Sequence, residues 1–158
     1  MIRTLVITSI IVSILAAVIL IPLFPHDRQL AKLEASYALV AHLPSSKKMA
    51  EFSEVGLLGG ANGNHCDFLV GEIRQSDASE EEIRRHYSSQ QVTSPSEAAY
   101  SLAPVLEFPE HRTQHSGILQ YEIKHLVSKA RVDRSLATLY VVYYLDEGHE
   151  PGIDFRCY

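Results

Sequence analysis

The chain has 158 residues, of which 46% are hydrophobic and 21% charged, and its formal net charge is −5. This length leaves room for one domain with one modest core. Beyond residue 24 the chain carries 13 Lys and Arg against 19 Asp and Glu, a net charge of −6, and it has no basic stripe. Such an acidic domain excludes nucleic acid and anionic lipid surfaces from the favoured partners.

The longest apolar stretch runs from Leu5 to Phe24, LVITSIIVSILAAVILIPLF, and contains no charged residue. As a helix it would extend about 30 Å, the thickness of the hydrocarbon core of a bilayer. A cleaved signal peptide would have a shorter apolar run followed by small residues at the cleavage site, whereas large and charged residues follow here. We therefore predict an uncleaved transmembrane signal-anchor over residues 1–25, in contact with the lipid bilayer through residues 5–24.

The charges that flank this stretch give conflicting indications of its orientation. Arg3 precedes it, and four basic residues follow it: Arg28, Lys32, Lys47 and Lys48. By count alone, the positive-inside rule would place the following domain in the cytoplasm. A short N-terminal flank with one Arg is nevertheless the usual form of a signal-anchor, and the use of cysteine favours an oxidising compartment. We expect a single-pass membrane protein whose C-terminal domain is extracytoplasmic.

Small residues recur every four positions within the predicted membrane helix, at Ser9, Ser13 and Ala17. They share one helix face and would allow another membrane helix to approach closely. The alternative is chance, because small residues are common in membrane helices. Pro22 and Pro25 are expected to kink and then end the helix near the interface.

Residues 26–44 are predicted to form a juxtamembrane helix and connector. Asp27 is a suitable N-cap for a helix that runs to about Ala41. Apolar residues recur along it at helical spacing, which predicts one buried stripe: Leu30, Leu33, Tyr37 and Val40. The segment from His42 to Lys48 is expected to be a loop.

Residues 45–158 are predicted to form the soluble domain, and its first clear strand runs from His65 to Gln75. Cys66, Phe68 and Val70 alternate along one side of it, joined by Glu72 if the strand stays regular. Gly71 indicates a bulge or a close backbone neighbour. A capping box at Ser79 to Glu82 then predicts a short helix that ends near Ser89.

Further elements follow in the second half of the chain. A second capping box at Ser94 to Glu97 predicts another short helix. Strands are predicted at Val105–Phe108 (an edge strand), Leu119–Lys124, Leu136–Leu145 (a central strand, because both of its faces are apolar) and Ile153–Tyr158. The fold class is therefore α+β: a mainly antiparallel sheet of four or five strands with two or three helices.

The two cysteines, Cys66 and Cys157, are too far apart for a CxxC motif. A disulfide between them would close a loop of roughly 90 residues, which the chain-entropy model values at about 4 kcal/mol. Two free thiols in the core are the alternative. We predict the disulfide, because we expect the domain to be extracytoplasmic.

Other candidate sites are weak. His111 and His115, with Glu107 and Glu110 nearby, could ligate a metal ion, but Pro109 and Gly117 favour a solvated loop. His65 cannot act as a base for Cys66, because neighbouring residues of a strand point to opposite faces. Glu72 could pair with Arg74 or Arg156, or it could be a buried catalytic acid. We predict no catalytic residue, no metal and no cofactor.

The sequence favours a non-enzymatic interaction module of the cell envelope, held in a membrane-associated assembly by a protein partner or by self-association. One alternative is a small-molecule or metal-binding sensor that uses His111 and His115. The other is a membrane-tethered enzyme with an unrecognised site, for which Glu72, His86 and Cys66 are the first candidates.

Overall fold

The computed structural model describes residues 2–20, 24–58, 63–96, 100–109, 125 and 138–158, with the side chains of the first helix described from residue 6 to residue 15. The helices are α1 (Ile2–Leu20), α2 (Phe24–Tyr37) and α3 (Glu80–Tyr87), and a 3₁₀ turn covers Phe155–Cys157. The strands are β1 (Ser46–Gly56), β2 (Cys66–Ser76), β3 (Val92–Thr93), β4 (Ser101–Leu102), β5 (Val105–Glu107) and β6 (Thr138–His149).

Four of these strands form one antiparallel sheet in the order β1-β2-β6-β5, and β3 pairs with β4 in a separate two-stranded sheet. With three α-helices in the part of the chain described, the fold class is α+β, as predicted. The predicted central strand is β6, which lies between β2 and β5. The predicted edge strand is β5.

The core lies on both faces of the sheet. On one face, β2 and β6 pack against α2 and α3 through residues that include Phe68, Tyr140, Leu33 and Ile83, all of which are fully buried. Cys66, Phe68 and Val70 share this face, in agreement with the alternation of the sequence. The opposite face holds a second buried cluster: Leu58, Leu69, Ile73, Leu139, Val141 and Tyr143. Burial of both faces explains why β6 is apolar at almost every position.

Gly71 lies where three strands meet, paired with Phe52 of β1 and with Tyr143 of β6. A Cβ atom at this position would lie 2.5 Å from the Cβ of Tyr143 and 2.7 Å from the carbonyl oxygen of Val142. The register shifts of the sheet occur elsewhere, between Lys48 and Ala50 and between Cys66 and Phe68. Gly71 therefore accommodates a close neighbour and does not form a bulge.

The capping box of α3 is present as predicted. The hydroxyl of Ser79 accepts the backbone N–H of Glu82, and the carboxylate of Glu82 accepts the backbone N–H of Ser79 at 2.8 Å. This reciprocal pair needs only residues close together in sequence, so the motif is readable without tertiary information.

Two predicted elements are wrong. Ile153–Tyr158 is not a strand, because the carboxylate of Asp154 accepts the backbone N–H of Arg156 at 3.0 Å and caps a 3₁₀ turn. No helix begins at Ser94, whose hydroxyl donates to buried Asp146 at 2.6 Å and accepts the backbone N–H of Ser96. A tertiary partner thus replaces the predicted cap.

Some of the other predicted elements have different boundaries, and some lie outside the described residues. The predicted loop from His42 to Lys48 ends early, because β1 begins at Ser46, and α2 ends at Tyr37 instead of Ala41. The strand predicted over Leu119–Lys124 lies outside the described residues, as do residues 21–23 of the predicted membrane segment. Among the described residues, none of the helices combines the length and the apolar character that crossing a membrane requires.

Candidate functional site

A cavity of about 630 Å³ lies between α2 and the β1–β2 side of the sheet. Its wall includes Tyr37 and His42 from α2 and the segment after it, Lys48 and Phe52 from β1, and Glu72 from β2. A helix packed across a twisted sheet leaves such a space where the two surfaces diverge, and here the space contains charged groups. Within the described part of the chain, the buried hydroxyl of Tyr37 has no hydrogen-bond partner.

Glu72 is the central charge of this pocket and is only 7% exposed. The guanidinium of Arg74 donates directly to its carboxylate, Lys48 Nζ lies 3.8 Å away, and His42 Nε2 lies 3.7 Å away. Arg74 is therefore the partner of Glu72, and Arg156 is not. A buried carboxylate needs such partners because desolvation of an unpaired charge is costly.

Basic and acidic residues follow each other along β1 and β2, and like charges face each other across the two strands. Glu51 lies opposite Glu72, and Lys48 lies opposite Arg74. Like charges that face each other directly are destabilising, but Lys48 contacts both acids here. Lys48 bonds Glu51 within its own strand and approaches Glu72 in the next. The pocket thus has a fixed pattern of acidic and basic groups.

His42 connects the pocket to the core. Its Nδ1 lies 2.9 Å from the hydroxyl of Tyr87, which lies 3.4 Å from the hydroxyl of Tyr140. Burial lowers the pKa of His42 below its ordinary value of 6.5, and the nearby charge of Arg74 lowers it further. Burial also raises the pKa of Tyr37, with a contribution from Glu72. At neutral pH, His42 is uncharged and Tyr37 keeps its proton.

We expect His42 to destabilise the folded state in mild acid. Because its pKa is lowered on folding, the unfolded chain binds the additional proton first, and stability is lost as the pH falls through 6.5. The difference in unfolding free energy between wild type and His42→Gln should decrease as the pH falls over this range. By NMR, the ring signals of His42 should titrate below pH 6.5. The exposed α3 variant Arg85→Gln should retain the wild-type slope; a His42→Gln variant that also retained it would contradict this account.

A second cluster joins three distant parts of the chain around the cysteines. The first turn of α2 supplies His26, and β2 supplies Cys66. The last six residues, 153–158, which contain the 3₁₀ turn and are called the final turn below, supply Asp154 and Cys157. Cys66 and Cys157 lie at disulfide distance, with Cα atoms 4.8 Å apart. His26 Nδ1 lies 3.6 Å from Cys66 Sγ and 2.9 Å from Asp154 Oδ2. All four residues are buried, and their four potential ligand atoms lie within 4.8 Å of one another.

Arg156 neutralises the carboxylate of this cluster. It donates to Asp154 through Nε at 3.0 Å, and its Nη1 lies 2.8 Å from Asp27 on α2. Burial alone would raise the pKa of Asp154, but hydrogen bonds from Arg156 and His26 lower it to about 2. Asp154 is therefore ionised at neutral pH.

Removal of this guanidinium should change the acid response of the protein. Since the pKa of Asp154 is lowered on folding, its contribution to stability is present above pH 3.8 and is lost as the pH falls toward 2. In Arg156→Gln this slope of unfolding free energy against pH should be shallower, as measured by urea denaturation at a series of pH values. Arg85→Gln, which removes an exposed ion pair with Glu81, should keep the wild-type slope. Equal slopes in all three proteins would refute the pairing.

The cluster lacks the geometry of a cysteine–histidine catalytic dyad oriented by an acid. That arrangement needs one ring nitrogen for the thiol and the other for the carboxylate. Here Nδ1 of His26 faces both Cys66 and Asp154, while Nε2 faces the carbonyl oxygen of Glu150 at 3.1 Å. His65 points elsewhere, with Nε2 3.2 Å from Asp67.

The other sequence candidates lie apart from both sites. His111, His115 and Glu110 lie outside the described residues, whereas Glu107 is buried on β5 and accepts the hydroxyl of Tyr143 at 2.9 Å. His86 is on α3, with Nε2 2.7 Å from the carbonyl oxygen of Ala41. Ser9 and Ser13 are exposed on α1, and the side chain of Ala17 lies outside the described residues.

His26 and Asp154 had no signal in the sequence, because 40 residues separate His26 from Cys66 and 128 separate it from Asp154. Comparison of the chain with protein-family models, curated proteins and solved structures finds no match. Function must therefore be argued from the geometry of the two sites and from the apolar segment that precedes them.

Proposed function

We propose that this chain is a single-pass, membrane-anchored interaction module of the cell envelope with no catalytic activity of its own. The observation that carries the proposal is the sequence run from Leu5 to Phe24, which continues beyond the described end of α1 and contains no charged residue. Every side chain from Val6 to Leu15 is exposed, and the large apolar ones among them are 52–59% exposed on all sides of the helix. A helix that is apolar all round requires apolar surroundings, and the charge-free run from Leu5 to Phe24 matches a bilayer in length.

The final turn of the domain supports a position close to the membrane surface. His26, six residues after the end of α1, bonds Asp154, so the chain holds the residue that contacts this turn within about 21 Å of Leu20. Three apolar side chains on the turn are 58–74% exposed: Ile153, Phe155 and Tyr158. Tyrosine, here Tyr158, is enriched at membrane–water interfaces. The paired cysteines support an oxidising, extracytoplasmic compartment.

Orientation can be tested with the thiol introduced by Ser89→Cys at an exposed position on the domain. We expect this protein to stay in the membrane fraction after alkaline carbonate washing and to react with a membrane-impermeant maleimide in intact cells. Deletion of residues 2–20 should release the domain from the membrane. Labelling only after the membrane is opened would place the domain in the cytoplasm and overturn the extracytoplasmic part of the proposal.

The interaction itself can be tested through the small-residue face of α1. Affinity purification in mild detergent should recover a stoichiometric partner or a second copy of the chain. Replacing both Ser9 and Ser13 with Ile should abolish this association by blocking close helix approach. Ile11→Val, on the opposite side of the helix, should leave it intact. Recovery of wild type as a lone monomer would contradict the proposal.

A second candidate function is the binding of a small ammonium ligand, favoured by the polar pocket. Three carboxylates line it, those of Glu34, Glu51 and Glu72, and the two bases that contact them, Lys48 and Arg74, leave one negative charge in excess. The rings of Tyr37 and Phe52 complete a wall suited to a cation, and the hydroxyl of Tyr37, which no described residue bonds, offers a further polar contact. Calorimetry with butylamine and tetramethylammonium should show saturable binding that Tyr37→Phe weakens and the exposed control Glu81→Gln does not. Absence of heat with both probes would exclude this ligand class.

A further inference from the structure

We propose that His26, Cys66, Asp154 and Cys157 bind one zinc ion when the two cysteines are reduced. This site is independent of the membrane anchor and of the polar pocket. It would give the chain a metal-bound state as an alternative to the disulfide.

The separations between the donor atoms carry the proposal. Zinc binds sulfur at about 2.3 Å and nitrogen or oxygen at about 2.0–2.2 Å, so tetrahedral ligand atoms lie roughly 3.3–3.8 Å apart. His26 Nδ1 lies 3.6 Å from Cys66 Sγ, and all four donor atoms fall within 4.8 Å of one another. Asp154 Oδ2, at 2.9 Å from the same nitrogen, needs to move by only a few tenths of an ångström. The two sulfur atoms must separate once their bond is broken.

The surrounding hydrogen bonds suit a metal ligand set. In the zinc-bound state His26 would donate its Nε2–H to the carbonyl oxygen of Glu150, 3.1 Å away, and Nδ1, which bonds Asp154 in the metal-free chain, would bind the metal through its lone pair. Zinc-bound histidines typically make such a bond to a backbone carbonyl. Arg156 bonds both oxygens of the Asp154 carboxylate, with Nε 3.0 Å from Oδ1 and Nη2 2.6 Å from Oδ2, the oxygen nearest His26. Because all four ligands are buried, the site is closed and of the structural type, with no open position for substrate.

A small thiol can reduce the Cys66–Cys157 disulfide and make both sulfur atoms available to zinc. Two molecules of a small thiol supply two electrons and two protons to the Cys66–Cys157 disulfide, which becomes two thiols while the reductant becomes a disulfide. Zinc then displaces to solvent both thiol protons and the proton by which Nδ1 of His26 bonds Asp154. Two thiolates and the Asp154 carboxylate give zinc a net charge of −1, and the guanidinium of Arg156 offsets it. The disulfide and the zinc site exclude each other because they use the same two sulfur atoms.

The test uses the full chain in detergent, stripped of metal and reduced with a phosphine, which is oxidised to its oxide with oxygen from water. Titration with Co²⁺ should saturate at one ion per chain, with a thiolate-to-cobalt charge-transfer band and the intense ligand-field bands of tetrahedral cobalt. Zinc should then displace the cobalt and remove these bands. The oxidised protein should show none of them.

Variants assign the ligands. His26→Gln and Asp154→Asn should each lower the Co²⁺ affinity at least about tenfold, and Cys66→Ser should weaken the charge-transfer band. His65→Gln removes the histidine next to Cys66 and should bind as wild type does. Absence of a saturable thiolate band in the reduced wild-type protein overturns the proposal, even if a variant fails to fold. Unchanged affinity in folded His26→Gln also overturns the assignment.

Discussion

The variant Gly71→Ala is expected to lose about 3 kcal/mol or more of unfolding free energy, a large effect for the addition of one methyl group. The new Cβ would lie 2.5 Å from the Cβ of Tyr143 and 2.7 Å from the carbonyl oxygen of Val142. Neither atom can move without displacing β6, which lies between β2 and β5. Overpacking of a core typically costs about 1–3 kcal/mol, and a clash with backbone belongs at the upper end of that range or above it.

Urea denaturation of the two proteins at one pH measures this difference. Ser53→Ala is the matched control, because Ser53 is an exposed residue of β1 that pairs with Val70, next to Gly71. A surface change of this kind is expected to stay within about 0.5 kcal/mol of wild type. If Gly71→Ala also stays within that range, the close approach of β6 to Gly71 is not present in solution.

Opening the Cys66–Cys157 bridge in metal-free buffer is expected to lower the unfolding free energy by about 4 kcal/mol. The bridge joins residues 91 positions apart, so it removes a large share of the conformational freedom of the unfolded chain. The loss should appear as a lower urea midpoint when the oxidised protein is treated with a phosphine and a chelator. Part of it should return when zinc replaces the chelator.

The double variant Cys66→Ala with Cys157→Ala serves as the control for this measurement. It should unfold near the midpoint of reduced wild type, and neither the phosphine nor zinc should move that midpoint. Equal midpoints for oxidised and reduced wild type would mean that no disulfide links the two residues in the folded protein.

Local signals in the sequence account for the parts of the fold that were predicted. The run of β-branched and aromatic residues in β6 identifies a strand buried on both faces, wherever its partners come from. The capping box of α3 needs only Ser79 and Glu82. The face shared by Cys66, Phe68 and Val70 follows from the period of a strand.

Elements and sites that depend on contacts between distant residues could not be predicted from local sequence patterns. β1 went unpredicted because its register shifts between Lys48 and Ala50, which breaks the alternation of an edge strand. The sequence of Phe155–Cys157 has the pattern of a strand, and only the cap that Asp154 supplies in the folded chain shows it to be a 3₁₀ turn. Of the candidate sites, Glu72 and the cysteine pair were identified from the sequence, whereas His26 and Asp154 became visible only when the fold brought α2 to the final turn.

The contacts between α2 and the final turn also determine how the domain responds to mechanical force. A pull on α1 enters the domain at the first turn of α2, which His26 and Asp27 attach to Asp154 and Arg156. The final turn is in addition joined to the start of β2 through Cys157 and Cys66. Tension from α1 would therefore pass through one hydrogen bond, one ion pair and one bridge into the middle of the sheet, instead of peeling α2 away from it. Reduction would remove the covalent link from this path and leave only non-covalent contacts to carry the force.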